Sequence, residues 1–118
     1  MDDPKELARI LKVLSVDTRV HIVCLLRGRA LCVNALATQL SVTQGAVSQH
    51  LRVMRDASLV IDEKQGYYVH YRLNEETLAA WRETIDRLLD PTYQVSQQTK
   101  GTEQCAARKR EAARIRKT

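Results

Sequence analysis

The apolar residues of this chain change their spacing along the sequence, and this change limits the folds that it can adopt. Up to about Ala57 they recur at intervals of three and four residues, which is the period of an amphipathic α-helix. From Leu59 to Leu73 apolar and polar residues alternate instead around a glycine. After Asn74 the helical spacing returns. The sequence therefore predicts a mainly α-helical fold that contains one small β-hairpin.

Four helices are predicted ahead of the hairpin. Asp3 and Asp17 mark the starts of the first two. The third covers residues 33–40, and Thr43 is the predicted N-cap of the fourth. Because only a short turn separates the third helix from the fourth, the pair is expected to form a helix-turn-helix.

The alternating segment is predicted to be a two-stranded wing. Its turn is placed at residues 63–66, so that Lys64 and Gln65 lie at the tip. A closing helix follows the N-cap Asn74 and ends at Asp90, which precedes a proline. About five helices and a two-stranded wing in this order predict a winged helix-turn-helix. The apolar stripes of the first and last helices are natural surfaces for a homodimer.

The start of the fourth helix has the composition of a DNA-reading element. Such a helix presents short polar side chains at its N-terminal end, where it meets base edges in the major groove. The predicted DNA-contacting residues are Thr43, Gln44, Gly45, Ser48, Gln49 and Arg52, together with Lys64 and Gln65 in the wing. Glutamine suits adenine, and Arg52 is better placed for phosphates than for bases. Gly45 is explained equally well by close approach of the backbone to DNA and by simple tolerance.

The charge of the chain is concentrated at its C-terminal end. The formal net charge is +5, and residues 91–118, with seven Lys/Arg and two Asp/Glu, account for all of it. We expect residues 1–90 to form the DNA-binding and dimerisation domain and residues 91–118 to form a flexible basic tail. Such a tail either contacts phosphates or is only solvated.

Composition also narrows the compartment and the function class. No apolar run is long enough to span a membrane, and the acidic N-terminus does not resemble a signal peptide, so we expect a cytoplasmic protein without a membrane partner. The three cysteines are an odd number without CxxC spacing, which argues against a disulfide framework and a zinc knuckle. The sequence has no glycine-rich phosphate loop and no Ser-His-Asp arrangement, so we do not expect an enzyme.

Three segments resemble the ArsR/SmtB family of bacterial and archaeal repressors. They are residues 14–19 (LSVDTR), residues 40–60 (LSVTQGAVSQHLRVMRDASLV) and residues 66–73 (GYYVHYRL). The resemblance covers roughly residues 5–90, with the segments in the family's order. It implies a homodimer closed by the first and last helices. It also implies binding to double-stranded operator DNA without ligand and release when an inducer binds.

The resemblance leaves the inducer open. The family's metalloid sensors carry Cys-x-Cys at the start of the third helix. This chain has Cys32 at the first of these positions and Asn34 at the second. As(III) or another soft metal ion needs about three thiolates. One hypothesis is that Cys24, Cys32 and Cys105 form such a site, in one chain or across a dimer. A second is a thiol-redox or sulfide-responsive switch that uses Cys24 and Cys105. In the third, the cysteines are small apolar residues and the inducer is another compound or absent.

Two other function classes fit parts of the sequence. Winged helices also serve as protein-interaction modules, but such a module does not need short polar side chains at the start of the fourth helix. RNA binding is less well supported, because aromatic residues are only 4% of the chain and the tyrosines cluster in the wing. Binding to double-stranded DNA is therefore the favoured prediction.

Overall fold

The computed structural model describes residues 3–93 of the chain, and in this part five α-helices and three β-strands follow one another. The helices are α1 (Pro4–Leu14), α2 (Asp17–Leu25), α3 (Val33–Leu40), α4 (Gln44–Asp56) and α5 (Glu75–Leu89). The strands are β1 (Leu31–Cys32), β2 (Val60–Gln65) and β3 (Tyr68–Leu73). Of these residues, 3–89 form one compact unit. The predicted winged helix-turn-helix is confirmed.

The sheet of the wing has one strand more than the sequence predicted. The strand order is β1-β3-β2, and both pairings are antiparallel. Strand β1 pairs Leu31 with Tyr71 and Cys32 with His70. The predicted hairpin is present as β2 and β3, whereas β1 was not predicted because it is only two residues long, too short to show an alternating pattern.

The turn of the wing also lies further along the chain than predicted. Residues 63–65 belong to β2, and Gln65 pairs with Tyr68 across a loop formed by Gly66 and Tyr67. Gly66 has a φ of 64°, and a glycine with positive φ at the first position of a two-residue loop is typical of tight hairpins. Lys64 and Gln65 are therefore strand residues beside the tip. The tip is Tyr67, which is 99% exposed.

The hydrophobic core receives side chains from all five described helices and from strands β2 and β3. Its buried residues are Ile10, Val13, Ile22, Leu26, Leu36, Ala37, Val47, Leu51, Met54, Leu59, Val60, Leu73 and Trp81. Some predicted stripe residues remain outside it: Leu11 on α1 is 38% exposed, and Leu88 and Leu89 on α5 are 49% and 73% exposed. Apolar surface on the first and last helices is thus left open to solvent in the single chain.

The turn between α3 and α4 is fixed by local hydrogen bonds. Ser41 ends α3 in the left-handed conformation, with a φ of 56°, and the backbone N–H of Val42 donates to the carbonyl of Ala37 at 3.2 Å. Thr43 then caps α4, as predicted, and its Oγ1 accepts a hydrogen bond from the N–H of Ala46 at 3.1 Å. This geometry starts α4 at Gln44 and determines which side chains its first turn presents.

Candidate nucleic-acid interface

Helix α4 has one buried face and one polar, exposed face. Val47, Leu51 and Met54 recur at three- and four-residue intervals and are buried in the core. The predicted DNA-contacting residues of this segment are all exposed: Thr43, Gln44, Gly45, Ser48, Gln49 and Arg52. Because residues four apart lie on one side of a helix, Gln44, Ser48 and Arg52 form a row. The structure therefore brings these predicted residues together on one solvent-facing surface.

Gln44, at the N-terminal end of this row, has a partner on the neighbouring helix. Its Nε2 donates a hydrogen bond to Oδ1 of Asn34 in the first turn of α3, at 3.2 Å. The side chains of Ser48, Gln49 and Arg52, by contrast, make no hydrogen bond or ion pair with any other residue between positions 3 and 93. Their donors and acceptors are thus available to an external partner.

Two contacts hold α4 in place from its sides. Arg19 on α2 donates from Nε to Nδ1 of His50 at 3.2 Å, so that His50 bonds to another helix. Near the other end of α4, the Nη1 atom of Arg55 lies 3.4 Å from a carboxylate oxygen of Asp62 on β2. This pair connects the helix to the wing, so it reduces the availability of Arg55 for phosphate contacts.

The wing carries the remaining predicted residues beside an aromatic tip that the sequence analysis missed. Lys64 and Gln65 are exposed at the end of β2. Tyr67 projects beyond them at the tip, and Tyr68 is 65% exposed. A Gly-Tyr pair between two alternating runs was the available signal for a two-residue turn. Below the tip, Nε of Arg72 donates to Oε1 of Glu63 at 2.7 Å and links β3 to β2.

The cysteines lie on different elements. Cys24 is exposed on α2, and Cys32 is half-buried at the end of β1, where it is the N-cap of α3 without a side-chain capping bond. Both are free thiols, whereas Cys105 is outside the described residues. Cys32 is paired across the sheet with His70, whose buried Nδ1 has no hydrogen-bond partner in residues 3–93.

The described cysteines do not by themselves make a three-thiolate site. Within residues 3–93, no group of three His, Cys, Asp or Glu side chains is placed to hold a metal ion. A soft ion that needs three thiolates would have to take at least one from outside this part of the chain. The start of α3 thus offers one thiol, that of Cys32.

The resolved pKa shifts concern groups that lie off α4 and the wing. A side-chain hydrogen bond from Arg9 holds the pKa of the Glu6 carboxyl below its ordinary value. Side-chain and backbone hydrogen bonds from Thr92 lower the pKa of Asp90.

Between residues 3 and 93, none of the helices combines the length and the apolar character that a membrane span requires.

Comparison with known proteins identifies the family. A family model for bacterial regulatory proteins of the arsR family matches residues 17–62. The arsenical resistance operon repressor of Escherichia coli K12 is 36% identical over 91 residues, which are 76% of this chain and 74% of that repressor. The transcriptional activator HlyU of Vibrio cholerae is 34% identical over 79 residues, 67% of this chain and 73% of HlyU.

Solved structures agree with these sequence comparisons. The crystal structure of a possible transcriptional regulator for arsenical resistance superposes with a TM-score of 0.64 at 38% sequence identity, covering 68% of this chain and 83% of that chain. This chain belongs to the ArsR family of winged helix-turn-helix transcriptional regulators.

Proposed function

We propose that this protein is a sequence-specific repressor that binds double-stranded operator DNA as a homodimer and is released by an inducer. The observation that carries the proposal is the row of exposed polar side chains at the start of α4, next to an exposed wing. Helices of this kind enter the major groove with their N-terminal residues toward the bases. The repressor assignment draws on the similarity to the Escherichia coli relative, which is an operon repressor.

The exposed residues divide into two kinds of DNA contact. Gln44 and Gln49 present amides that pair in a bidentate manner with adenine, and Ser48 bonds to either kind of base edge. Arg52 lies two turns further along α4 and is assigned to a phosphate. In the wing, Lys64 and Gln65 contact the DNA backbone or the adjacent minor groove. Gly45 keeps the backbone of the first turn free of a side chain, so that this turn can approach the DNA closely.

A homodimer through α1 and α5 places two copies of the DNA-contacting helix α4 in two-fold symmetry. The large exposed apolar residues of these two helices are Leu11, Leu88 and Leu89. A second copy of the chain would cover them. A two-fold dimer presents two copies of α4 to two half-sites, which are spaced by about one helical turn of DNA or a multiple of it. We therefore assign residues 1–90 to DNA binding and dimerisation, in the cytoplasm.

Selection of bound duplexes from a random pool tests this function. We expect the selected sites to be palindromic and bound at least ~10³-fold more tightly than scrambled duplexes at fixed salt. Replacing Gln44 and Gln49 together by alanine should remove most of this ratio. Gln39→Ala, which truncates an exposed glutamine of α3, is the matched control and should leave it unchanged. Selection without enrichment of any site would instead favour a protein-interaction module.

The inducer is proposed to act through thiols, with As(III) as the first compound to test. Cys24, Cys32 and Cys105 supply the three thiolates that such an ion prefers. Arsenite should protect these thiols from alkylation and release the operator. A variant with all three cysteines replaced by serine should keep the operator affinity and lose the release. Polysulfide in place of arsenite tests the redox alternative, and release of the serine variant by either compound would contradict a thiol mechanism.

The C-terminal segment is proposed to strengthen binding to all DNA without regard to sequence. Residues 91–118 carry the whole net charge of +5. Each neutralised phosphate steepens the salt dependence of binding. Deletion of this segment should therefore weaken specific and non-specific binding alike and flatten the plot of log K against log salt. An unchanged slope would mean that the segment does not contact DNA.

A further inference from the structure

Gln44 is set apart from the other polar residues of the α4 row because a side chain of another helix holds it. Asn34 accepts the hydrogen bond from Nε2 of Gln44 at 3.2 Å, and both residues are exposed. The bond therefore lies at the surface that the proposed reading mode places against the bases. Ser48 and Gln49 have no comparable support among residues 3–93.

The bond determines how the Gln44 amide is presented. A glutamine that reads adenine accepts from the adenine amino group through Oε1 and donates to N7 through Nε2. The Nε2 group has two hydrogens, so it can donate one to Asn34 and the other to N7. With Nε2 tied to α3, the amide is not free to exchange its donor and acceptor ends. The side chain also has less rotamer freedom to lose when DNA binds.

Asn34 is itself fixed by its place in α3. It lies in the first turn of that helix, two residues after the N-cap Cys32, and its carbonyl accepts a hydrogen bond from Oγ1 of Thr38 at 2.9 Å. The Asn34 backbone is therefore held in a regular helical turn, and from there its side chain reaches Gln44 across the helix-turn-helix. An exposed hydrogen bond of this kind contributes little to folding, so removing it should leave the protein folded.

We propose that Asn34 is a positioning residue for base recognition, which orients Gln44 so that it selects adenine in the operator. This inference rests on the proposed reading function of α4. Asn34 occupies the position of the second cysteine in the family's Cys-x-Cys motif, and the inference gives it a role in DNA recognition.

A double-mutant cycle on base discrimination tests the inference. The base pair that Gln44 reads is found as the position where Gln44→Ala loses its preference on the selected duplex. The ratio of Kd values for the duplex with and without a substitution at that pair is then measured by fluorescence anisotropy at one salt concentration. Wild type, Asn34→Ala, Gln44→Ala and the double variant are compared, with Gln39→Ala as a control at another exposed position of α3.

Asn34→Ala should reduce discrimination at that one base pair about two- to tenfold and leave affinity for scrambled DNA unchanged. It should have no further effect once Gln44 is alanine. Asn34→Asp keeps the oxygen acceptor and should restore the discrimination ratio, while its charge weakens binding to every duplex. Gln39→Ala should match wild type.

Three results overturn the proposal in different ways. If Gln44→Ala loses discrimination but Asn34→Ala retains it, Asn34 does not position Gln44, and the reading function of α4 stands. If Gln44→Ala also retains full discrimination at every base pair, the proposed role of Gln44 fails and this inference fails with it. An equal effect of Asn34→Ala in the wild-type and Gln44→Ala backgrounds would show that Asn34 acts independently of Gln44.

Discussion

The start of α4 and the start of α3 are neighbouring helix N-termini with different chemistry. Helix α4 begins with a threonine whose hydroxyl caps it, followed by exposed polar side chains. Helix α3 begins with Cys32, which makes no side-chain capping bond and is half-buried against the sheet. The first is a surface prepared for an external partner, and the second contributes one thiol and one asparagine. Within residues 3–93, the polar surface of α4 is thus present in a single chain, whereas a three-thiolate site would need a thiol from outside these residues.

An acidic residue placed in each of the two regions should separate them most strongly. Ser48→Glu puts a negative charge in the middle of the α4 row, where it would face base acceptors and phosphates, and should weaken operator binding by about 100-fold or more. Thr38→Glu adds the same charge at an exposed position of α3 and should cost far less. Anisotropy titrations measure both. Equal losses would mean that α4 is not nearer to the DNA than α3.

Gly45→Ala tests whether the first turn of α4 approaches DNA closely. A Cβ at this position meets no atom within 4 Å in the free protein, so alanine fits without strain. Because alanine is the better helix former, the free protein should gain up to about 1 kcal/mol in the free energy of unfolding. Operator binding should nevertheless weaken by about tenfold, since the methyl group would lie against the bases.

Thermal unfolding and anisotropy together check this prediction. A gain in stability with unchanged operator affinity would show that Gly45 is merely tolerated and that the backbone stays away from the DNA. The exposed residue Ala79 on α5 offers the reverse control, because Ala79→Gly should lower stability without changing the intrinsic contact between α4 and DNA.

Cys32→Ser should have the smallest effect and act only on the α3 side of the comparison. Cys32 makes no capping bond, whereas a serine hydroxyl at the N-cap accepts one from the first turn of the helix. The substitution should therefore stabilise the protein by about 0.5–1 kcal/mol. Operator affinity should stay within about twofold, because the half-buried thiol lies off the α4 row. Urea unfolding gives the stability change. A loss of stability would instead assign Cys32 a packing role against the sheet.

Much of the reader could be predicted from the sequence because it depends on local signals. Thr43 as an N-cap, the glycine near the turn and the apolar period are all short-range features, and the bounds of α3 and α4 follow from them. Strand β1 could not be predicted, since two residues form it only by pairing with β3. The bond between Asn34 and Gln44 could not be predicted either, because it joins residues ten apart in sequence and depends on how α3 and α4 cross.

The sensor could not be predicted for a different physical reason. A thiolate site is formed by side chains from distant segments, so cysteine positions alone do not reveal which thiols meet. The described residues contain Cys24 and Cys32, and Cys105 lies outside them. The same limit applies to Leu11: its place in a helical stripe indicates an apolar face but not what covers that face.

The most direct test of the central claim is a map of the DNA-bound surface by NMR. Backbone amide shifts of the ¹⁵N-labelled 13.5 kDa chain are followed during titration with the selected duplex. We expect the largest shifts and line broadening on residues 43–52 and 64–67, while the exposed Cys24 region of α2 stays unperturbed. Perturbations that avoid residues 43–52, at duplex concentrations that saturate binding, would contradict the assignment of α4 as the DNA reader.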